Sequence, residues 1–370
     1  MKINNRISIL HISEIDNDVS KGTSVIIPQY ILSQKNTGHN VGLLNCNNIN
    51  LSKLNKLDNI FSKSDNKNFM VLKEFKPDIV IFHEVYKPAY IKIYKFCLKN
   101  HIPYIVIPHG CLTKEAQNHK RLKKVIGNFL LFNNFLKNAK FIQYLNKNEY
   151  KMSTFKNINY FIMGNGVDGI PTSNMFLKTK KDDNIFNIIY VGRYDYLIKG
   201  LDQLILACSL IKKEMINKKI RLNLYGIGNE YSRNKILNAI LDNTLDDLVI
   251  FNGPVYGSKK RKLIAKNNEF IQVSRTEGQP LGVMEAMSLG MPMIISNGTG
   301  FSRIVKNNKC GLVTDCSAKR ISEAILEIYD MKHKLNDLSE NSYTYAKKNF
   351  SWKCIANLCI DKYTSIIKEK

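Results

Sequence analysis

Two glutamates stand eight positions apart in the segment RTEGQPLGVMEAM, at Glu277 and Glu285. Between them, Pro280 suits the first turn of a helix, because proline lacks an N–H that would be unpaired there. We expect the amides of Leu281 and Gly282 to lie free at the helix start, where the helix dipole favours a phosphate. Glu277 would precede the helix and Glu285 would lie two turns into it, on either side of a bound diphosphate. An ordinary surface helix with two acidic residues is the alternative interpretation.

Two cations lie between a predicted strand of the second half and the helix that follows it. Arg193 comes just after the strand, and Lys199 comes just before the helix. Two cations at the end of a strand can neutralise a departing diphosphate, although solvated charges beside a turn are an alternative. Gly226 follows a further strand, and Gly278 follows Glu277; glycine lets the backbone approach a ligand closely. The chain has no complete G-x-G-x-x-G or P-loop sequence after a strand, so a nicotinamide, flavin or P-loop site is not favoured.

His109 ends the apolar run PYIVIPHG in the first half of the chain and is followed by glycine. A histidine at a strand end can donate or accept a proton near neutral pH. His109 is therefore a candidate site residue and His83, at another strand end, a weaker one, although lone histidines are often structural. Gly22 lies in a loop after the first strand, where we expect the backbone to meet a phosphate or an acceptor.

These candidates require a scaffold that brings several strand ends together. Short runs rich in valine and isoleucine, such as PDIVIFHE and PYIVIPHG, alternate with helical segments, which predicts parallel sheets covered on both faces. The alternation breaks over residues 165–184, a polar, turn-rich stretch that we interpret as a linker, and then restarts. The predicted fold class is α/β, with two doubly wound domains facing each other across a cleft lined by the carboxyl ends of the strands.

The 370 residues carry 55 basic and 31 acidic side chains, a formal net charge of +24. This excess favours an anionic partner such as nucleic acid, an acidic membrane face or a phosphorylated substrate, although a surface that simply uses lysine would show it too. The eight cysteines contain no Cys-x-x-Cys pair, which predicts free, mostly buried thiols and no zinc site. The first residues are too short an apolar run for a signal peptide, so we expect a cytoplasmic protein.

Several features of the second half occur in a fixed order: Arg193 and Lys199, the turn at Gly226 and Gly228, the segment FNGPV, and the pair Glu277 and Glu285. Together they resemble the retaining glycosyltransferases of family GT4, in which the second glutamate stands in a segment of the form LEAxAxGxPVI; here it reads MEAMSLGMPMI. IPYIVIPHG followed by a basic helix also resembles the acceptor domain of bacterial polysaccharide members. The resemblance covers most of residues 190–300 and extends more thinly over 1–170.

The resemblance implies a GT-B fold, with two facing Rossmann-like domains and a last helix that crosses back to the first domain. It implies an acceptor-binding domain over residues 1–168, a nucleotide-sugar-binding domain over 185–345 and the crossing helix over 346–370.

The resemblance also implies a role for each candidate residue. Arg193 and Lys199 would hold the donor diphosphate, Glu277 would bind hydroxyls of the donor sugar, and His109 would contact that sugar near the reacting carbon. Glu285 would bind the ribose of the nucleotide. The remaining substrate contacts would come from Gly22, Gly226, Asn252, Gly253, Gly278, Leu281 and Gly282.

Two departures from the family pattern affect the expected pocket. Gly-Gln-Pro-Leu follows Glu277 in place of the commoner Gly-Phe-Gly-Leu, so the proline removes one amide donor from the sugar site. Thr299 and Gly300 replace a frequent pair of glycines at a loop that usually meets the cleft.

The expected activity is transfer of a hexose or related sugar from a nucleotide-diphosphate sugar to a hydroxyl of an oligosaccharide or undecaprenyl-linked acceptor. The reaction would retain the anomeric configuration and would serve surface polysaccharide biosynthesis, of O-antigen or capsule. We expect no cofactor and no divalent metal, because the protein supplies the cations. A nucleotide-sugar epimerase of the same architecture is the alternative, with the carboxylates as acid and base. No nucleic-acid partner is expected, since no helix-turn-helix, zinc finger or RNP-type signature occurs.

A basic amphipathic helix is predicted over residues 118–138. Its cations and its apolar residues are Lys120, Arg121, Lys123, Lys124, Phe129, Leu130, Phe132 and Phe135. This combination favours docking on anionic lipid, which would place the protein peripherally on the inner face of the cytoplasmic membrane. Alternatively, the aromatic side chains face the domain core and the lysines face water.

Overall fold

The computed structural model describes residues 6–18, 22–47, 57–118, 121–156, 159–171 and 184–369. Most of the predicted linker, residues 172–183, lies outside this range, as does Lys120 of the basic helix. The chain divides into a first unit of Met1–Gly166 with Trp352–Lys370 and a second unit of Val167–Ser351. No helix in the described part of the chain has the length and apolar character needed to cross a lipid bilayer.

The first unit is built on a seven-stranded sheet, in the order β3-β2-β1-β4-β5-β6-β7, in which every neighbouring pair is parallel. Its strands are β1 (Ser8–Ser13), β2 (Asn40–Asn45), β3 (Ile60–Ser62), β4 (Ile79–His83), β5 (Tyr104–Ile107), β6 (Phe141–Tyr144) and β7 (Tyr160–Ile162). Its helices are α1 (Gly22–Lys35), α2 (Met70–Phe75), α3 (Pro88–Lys99), α4 (Lys114–Asn118), α5 (Arg121–Gly127), α6 (Asn133–Lys137), α7 (Lys147–Met152) and α16 (Trp352–Lys368).

The middle strands of this sheet are covered on both faces. All residues of β4 and β5 are buried, as the continuous apolar runs of a parallel sheet predict. The last helix, α16, buries Ile355, Cys359, Tyr363 and Ile366, which recur every three or four residues and form one face. This face joins the core that contains Tyr30 of α1. The carboxy-terminal helix thus belongs to the first unit, although it begins at Trp352 and not at residue 346.

The second unit has a six-stranded parallel sheet in the order β10-β9-β8-β11-β12-β13. Its strands are β8 (Phe186–Val191), β9 (Ile220–Tyr225), β10 (Val249–Asn252), β11 (Glu269–Gln272), β12 (Met293–Ser296) and β13 (Gly311–Thr314). Its helices are α8 (Leu201–Leu210), α9 (Lys212–Asn217), α10 (Glu230–Asp242), α11 (Gly257–Ala265), α12 (Leu281–Ser288), α13 (Ser302–Asn307), α14 (Ala318–Asp330) and α15 (Leu335–Asn349). Both units therefore have the doubly wound α/β arrangement that the alternation predicts.

The sequence patterns do not predict three of the strands, and all three lie at sheet edges: β3, β7 and β13. They have only three or four residues, and most of these are partly exposed. An edge strand contacts fewer neighbours than a central one, so it needs no continuous apolar run. The basic segment also differs from the single predicted helix, because a π-helical stretch, Asn128–Phe132, separates α5 from α6.

Candidate functional site

Glu277 lies in the loop between β11 and α12, where three side chains converge on its carboxylate. Lys199 Nζ donates to one oxygen, while Gln272 Nε2 and the Ser274 hydroxyl donate to the other, the latter at 2.9 Å. Gln272 ends β11, and Lys199 belongs to the loop between β8 and α8. The carboxyl ends of two adjacent strands thus hold one carboxylate in a fixed orientation. A carboxylate has about four acceptor positions, so one stays available for a ligand hydroxyl.

Lys199 is 9% exposed. The next residue, Gly200, has a backbone conformation and a packing environment that require glycine. Gly200 has a φ of +68°, and a Cβ there would meet the carbonyl oxygen of Val273 at 2.2 Å. Only glycine therefore permits the loop after β8 to lie against the residues after β11. Of the three protons on the Lys199 ammonium, one is directed to Glu277, and no described residue accepts the other two. The ammonium can donate to an anion while it holds the carboxylate.

A second ion pair joins the loop after β11 to the start of α8. Arg275 donates through two nitrogens to the carboxylate of Asp202, at 2.6 Å each, and also to the carbonyl of Leu197. Burial of Asp202 is the largest single effect and opposes its ionisation, but the hydrogen bonds from Arg275 and Gln203 and the charge of Arg275 together outweigh it and lower the pKa of Asp202. This fork–fork pair ties the start of α8 to the loop that carries Glu277.

Pro280 stands immediately before α12 in an extended conformation and caps it, so it is not part of the first helical turn. The amide of Met284 donates to the carbonyl of Pro280 at 3.2 Å, so Leu281 and Gly282 lie in the first turn of α12, where an amide has no intrahelical acceptor. A Cβ on Gly282 would lie 2.8 Å from the carbonyl oxygen of Val191. The start of α12 therefore abuts the carboxyl end of β8, close to where the loop that carries Lys199 begins.

Glu285 is the fifth residue of α12, one turn into the helix and not two. Its carboxylate pairs with Lys260 of α11, with 2.7 Å between nitrogen and oxygen. Both side chains are about one-fifth exposed, at 22% and 21%. The pair is therefore mostly buried, and Glu285 Oε2 is shielded from solvent without a hydrogen-bond partner among the described residues, so it can accept from a ligand hydroxyl.

Arg193 does not join the carboxylate of Glu277. Its side chain is 66% exposed and lies 3.6 Å from the carboxylate of Asp195. The carbonyl of Arg193 accepts a hydrogen bond of 2.9 Å from the hydroxyl of Tyr190, which fixes the backbone and leaves the guanidinium in solvent.

The predicted glycine turn after β9 has a structural requirement of its own. A Cβ on Gly226 would meet the carbonyl of Gly192 at 2.0 Å, and one on Gly228 the carbonyl of Tyr194 at 2.4 Å. These glycines therefore allow two neighbouring loops to pack backbone against backbone. The packing of these two loops is enough to require glycine at both positions, and the role of the two glycines in ligand binding stays a prediction.

Asn252 is the last residue of β10, the edge strand beside β9, and Gly253 follows it. The hydroxyl of Tyr194 donates to the carbonyl of Asn252 at 2.7 Å, and its ring stacks on Phe251 with centroids 4.9 Å apart. A Cβ on Gly253 would have no atom within 4 Å, and Gly253 is exposed. The segment is thus anchored on one side and open on the other.

In the first unit, His109 is held in a left-handed backbone conformation, with a φ of +50°. The carboxylate of Glu149 accepts from the amide of Gly110 and from the amide of Leu145, both at 2.6 Å. Burial raises the pKa of Glu149, although these two backbone bonds oppose the rise. One carboxylate thus fixes the turn after β5 against the turn after β6.

The imidazole of His109 bonds to His83, with 3.0 Å between His109 Nε2 and His83 Nδ1. His83 in turn bonds to His11 at 2.9 Å, so the weaker of the two predicted histidines is the central member of a chain. Gly22, the first residue of α1, is exposed, and a Cβ there would meet nothing within 4 Å. Part of the loop before it, residues 19–21, lies outside the described range.

The sequence patterns single out the residues that end or follow strands, but they miss the partners that position them. These partners are His11, Gln34, Glu149, Lys260, Gln272 and Ser274. Four of them lie on a different element from the residue that they contact, whereas Gln272 ends β11 and Ser274 lies in the same loop as Glu277. Knowledge of the strand order would have placed His11 beside His83, because β1 and β4 are neighbours.

Comparison with known proteins shows what most of the second unit is similar to. Residues 171–345 match the model described as "Glycosyl transferases group 1". A D-inositol 3-phosphate glycosyltransferase of Paenarthrobacter aurescens is 22% identical over 183 residues, which cover 49% of this chain and 44% of that protein. The chain thus matches less than half the length of this curated relative. These matches support the prediction of a transferase enzyme.

Solved structures extend the likeness over nearly the whole chain. Anabaena HepE, in complex with UDP and glucose, has a TM-score of 0.71 at 14% identity, covering 97% of this chain and 100% of that one. WaaG, a glycosyltransferase involved in lipopolysaccharide biosynthesis, has a TM-score of 0.65 at 14% identity, covering 96% and 99%. These structures confirm the predicted GT-B fold.

Proposed function

We propose that this protein is a retaining glycosyltransferase that moves a hexose or related sugar from a nucleotide-diphosphate sugar to a hydroxyl acceptor. The observation that carries the proposal is the carboxylate of Glu277, oriented by Lys199, Gln272 and Ser274 beside the free amides of α12. This arrangement combines an acceptor for sugar hydroxyls with donors for a diphosphate, within a segment that matches the group 1 glycosyl transferases.

The proposed chemistry follows from this set of charges. The acceptor hydroxyl attacks the anomeric carbon on the face from which the nucleoside diphosphate departs, and a diphosphate oxygen takes the hydroxyl proton. Lys199, Arg193 and the amides of Leu281 and Gly282 stabilise the charge on the departing group. Because the protein supplies these donors, the reaction needs no divalent metal. His109 contacts the donor sugar near the reacting carbon.

Glu285 is proposed to bind the ribose hydroxyls of the nucleotide, after its carboxylate turns from Lys260. Asn252 and Gly253 would flank the base, with Gly253 leaving open space for it. UDP is the first nucleotide to test, because HepE was solved with UDP and glucose. An oligosaccharide or undecaprenyl-linked acceptor, in O-antigen or capsule synthesis, is supported by the likeness to WaaG.

The test has two stages, using the full chain. UDP-, GDP-, ADP- and dTDP-linked sugars are first screened by thermal shift and calorimetry, since a ligand that binds the folded state raises its apparent stability. The binding sugar is then incubated with acceptors in EDTA, and the anomeric configuration of the product is read by NMR. Binding of none of these donors would refute the proposal. An epimer formed from donor alone would establish the epimerase alternative.

A matched pair of variants separates the site from general stability. Glu277→Gln keeps the shape but removes the charge, and we expect donor turnover to be lost. Glu323→Gln changes an exposed glutamate that pairs with Arg320 in the same unit, and we expect no effect. Equal activity of the two variants would remove Glu277 from the mechanism.

We further propose that residues 121–130, which comprise α5 and the start of the π-helical stretch, dock the protein on an anionic membrane surface. Five apolar side chains of this segment are more than half exposed: Leu122, Val125, Ile126, Phe129 and Leu130, at 80, 57, 58, 80 and 61%. Arg121 and Lys123 are exposed beside them, which complements acidic lipid head groups. Of the aromatic residues that were expected to face lipid, Phe132 and Phe135 are instead buried in the domain core.

Vesicle co-sedimentation tests this surface. We expect the chain to bind vesicles that contain phosphatidylglycerol and to release as salt is added, and we expect Leu122→Ser with Phe129→Ser to abolish binding. Leu206→Ser with Leu210→Ser removes two exposed leucines of α8 and serves as the control. Equal binding of neutral and acidic vesicles, or equal loss in both double variants, would contradict the proposal.

A further inference from the structure

Three histidines form a continuous stack at the carboxyl ends of neighbouring strands. The rings of His11 and His83 have centroids 5.2 Å apart, and those of His83 and His109 are 5.3 Å apart, with interplanar angles of 25° and 24°. Hydrogen bonds of 2.9 and 3.0 Å join the three rings. At the far end, His11 Nε2 lies 3.0 Å from Gln34 Oε1. His11, His83 and Gln34 are all completely buried.

The acceptor atom at the Gln34 end of this series of hydrogen bonds determines which nitrogen of each imidazole carries the proton. In the orientation of the Gln34 amide that directs Oε1 to His11, this oxygen can only accept, so His11 carries its proton on Nε2 and accepts at Nδ1. The bond from His83 Nε2 to His11 Nδ1 then requires a proton on His83 Nε2. By the same rule, the proton of His109 lies on Nε2, directed to His83 Nδ1. A neutral chain therefore leaves His109 with a lone pair on Nδ1.

The surroundings keep this chain neutral. Burial lowers the pKa of His11 and of His109 to about 4, and burial and the adjacent imidazoles lower the pKa of His83 well below its usual range. The Nδ1 atom of His109 bonds to no described residue, and His109 is the one ring of the stack that is only partly buried.

We propose that Gln34, His11 and His83 are positioning residues that hold His109 as its Nε2–H tautomer, so that Nδ1 accepts a hydrogen bond from a hydroxyl of the donor sugar. This inference rests on the role of His109 in the proposed function. It adds that His109 acts on the sugar as an acceptor, not as a donor, and that a glutamine of α1 sets this choice through two rings. The second nitrogen of a histidine commonly fixes the state of the first in this way.

The test reads the tautomers directly, without substrate. The full chain is labelled with ¹⁵N-histidine, and long-range ¹H–¹⁵N correlation at pH 7.5 distinguishes protonated from bare ring nitrogens. We expect His11, His83 and His109 all to carry the proton on Nε2. In His83→Phe, which retains a stacked ring but no nitrogen, we expect His109 to become a mixture of tautomers. Gln34→Met, which removes the acceptor at a similar side-chain length, should leave the tautomers of the three rings mixed.

The control is His333→Phe, which changes an exposed histidine of the second unit and should leave the other histidine signals unchanged. A proton on His109 Nδ1 in the wild-type chain would overturn the proposal, and so would an unchanged tautomer in a folded His83→Phe chain. If that variant does not fold, the wild-type spectrum decides alone. Because no donor is present, this result is independent of whether the chain transfers sugar.

Discussion

Mild acid should destabilise the first unit through the three stacked histidines, of which His11 and His83 are fully buried and His109 is partly buried. Burial lowers the pKa of His11 and His109 to about 4, whereas an unfolded histidine has a pKa of about 6.5. Between these two values the unfolded chain binds protons that the folded unit does not. Stability is therefore fully present above pH 6.5 and is lost as the pH falls towards 4.

The size of the loss follows from the same values. Between pH 7.5 and pH 5, a histidine whose pKa drops from 6.5 to about 4 on folding costs about 2 kcal/mol of stability. His11 and His109 together should cost about 4 kcal/mol, and His83, whose pKa is lowered further, acts in the same direction. Glu149 acts in the opposite direction, because its pKa is raised by burial.

The chain provides a probe confined to this unit. Trp352 is the single tryptophan and lies against Tyr30, with ring centroids 5.9 Å apart. The ring of Tyr30 in turn contacts the ring of His11, with centroids 6.0 Å apart. Urea unfolding is followed by tryptophan fluorescence at pH 7.5 and at pH 5, at constant ionic strength. This probe avoids the assumption that two units unfold in one step.

Comparison with a variant isolates the histidine contribution from that of Glu149. His11→Phe should reduce the acid-induced loss by about 2 kcal/mol, whatever its effect on stability at pH 7.5. The exposed His333→Phe should leave the loss unchanged. A wild-type loss below about 1 kcal/mol, or an identical loss in His11→Phe, would refute the reasoning from buried neutral imidazoles.

Three further predictions concern the second unit. Lys199→Met leaves the carboxylate of Glu277 without its cation, so calorimetry should show UDP-sugar binding weakened at least about tenfold; unchanged affinity would exclude Lys199 from the diphosphate site. Gly200→Ala places a Cβ at 2.2 Å from a carbonyl oxygen at a φ of +68° and should cost about 3 kcal/mol in urea unfolding followed by circular dichroism; a loss under about 1 kcal/mol would show that the loop relaxes easily. Glu285→Gln should weaken binding of UDP about tenfold while Lys260→Met has a smaller effect, and calorimetry on both variants would contradict the ribose assignment if the order were reversed.

The carboxy-terminal half illustrates how far sequence patterns reach. The pattern of a strand followed by a turn and a helix places Glu277 between β11 and α12, and Leu281 and Gly282 at the start of α12. Such patterns are local, since they depend on apolar periodicity and on the backbone preferences of glycine and proline. They fail for the edge strand β13, whose residues are mostly half-exposed.

Because these sequence patterns are local, they could not predict which of two nearby cations contacts Glu277. Arg193 and Lys199 look equivalent in the sequence, yet Lys199 is buried against Glu277 while Arg193 is 66% exposed beside Asp195. The difference arises from Gly200, whose conformation brings only the end of the loop against Val273. No spacing rule distinguishes these two cations, because the distinction depends on contacts between elements far apart in the chain.

The sequence by itself determined two α/β units, the residues at the strand ends and the resemblance to the glycosyltransferases of family GT4, because each depends on short-range order along the chain. Only the tertiary structure decided that Gln34, His11, His83 and His109 form one chain of hydrogen bonds. Their relation is set by the order of strands in the sheet, β1 beside β4 and β4 beside β5. A sheet of parallel strands joins residues separated by 72 positions at 2.9 Å, and nothing in the local sequence encodes which strands become neighbours.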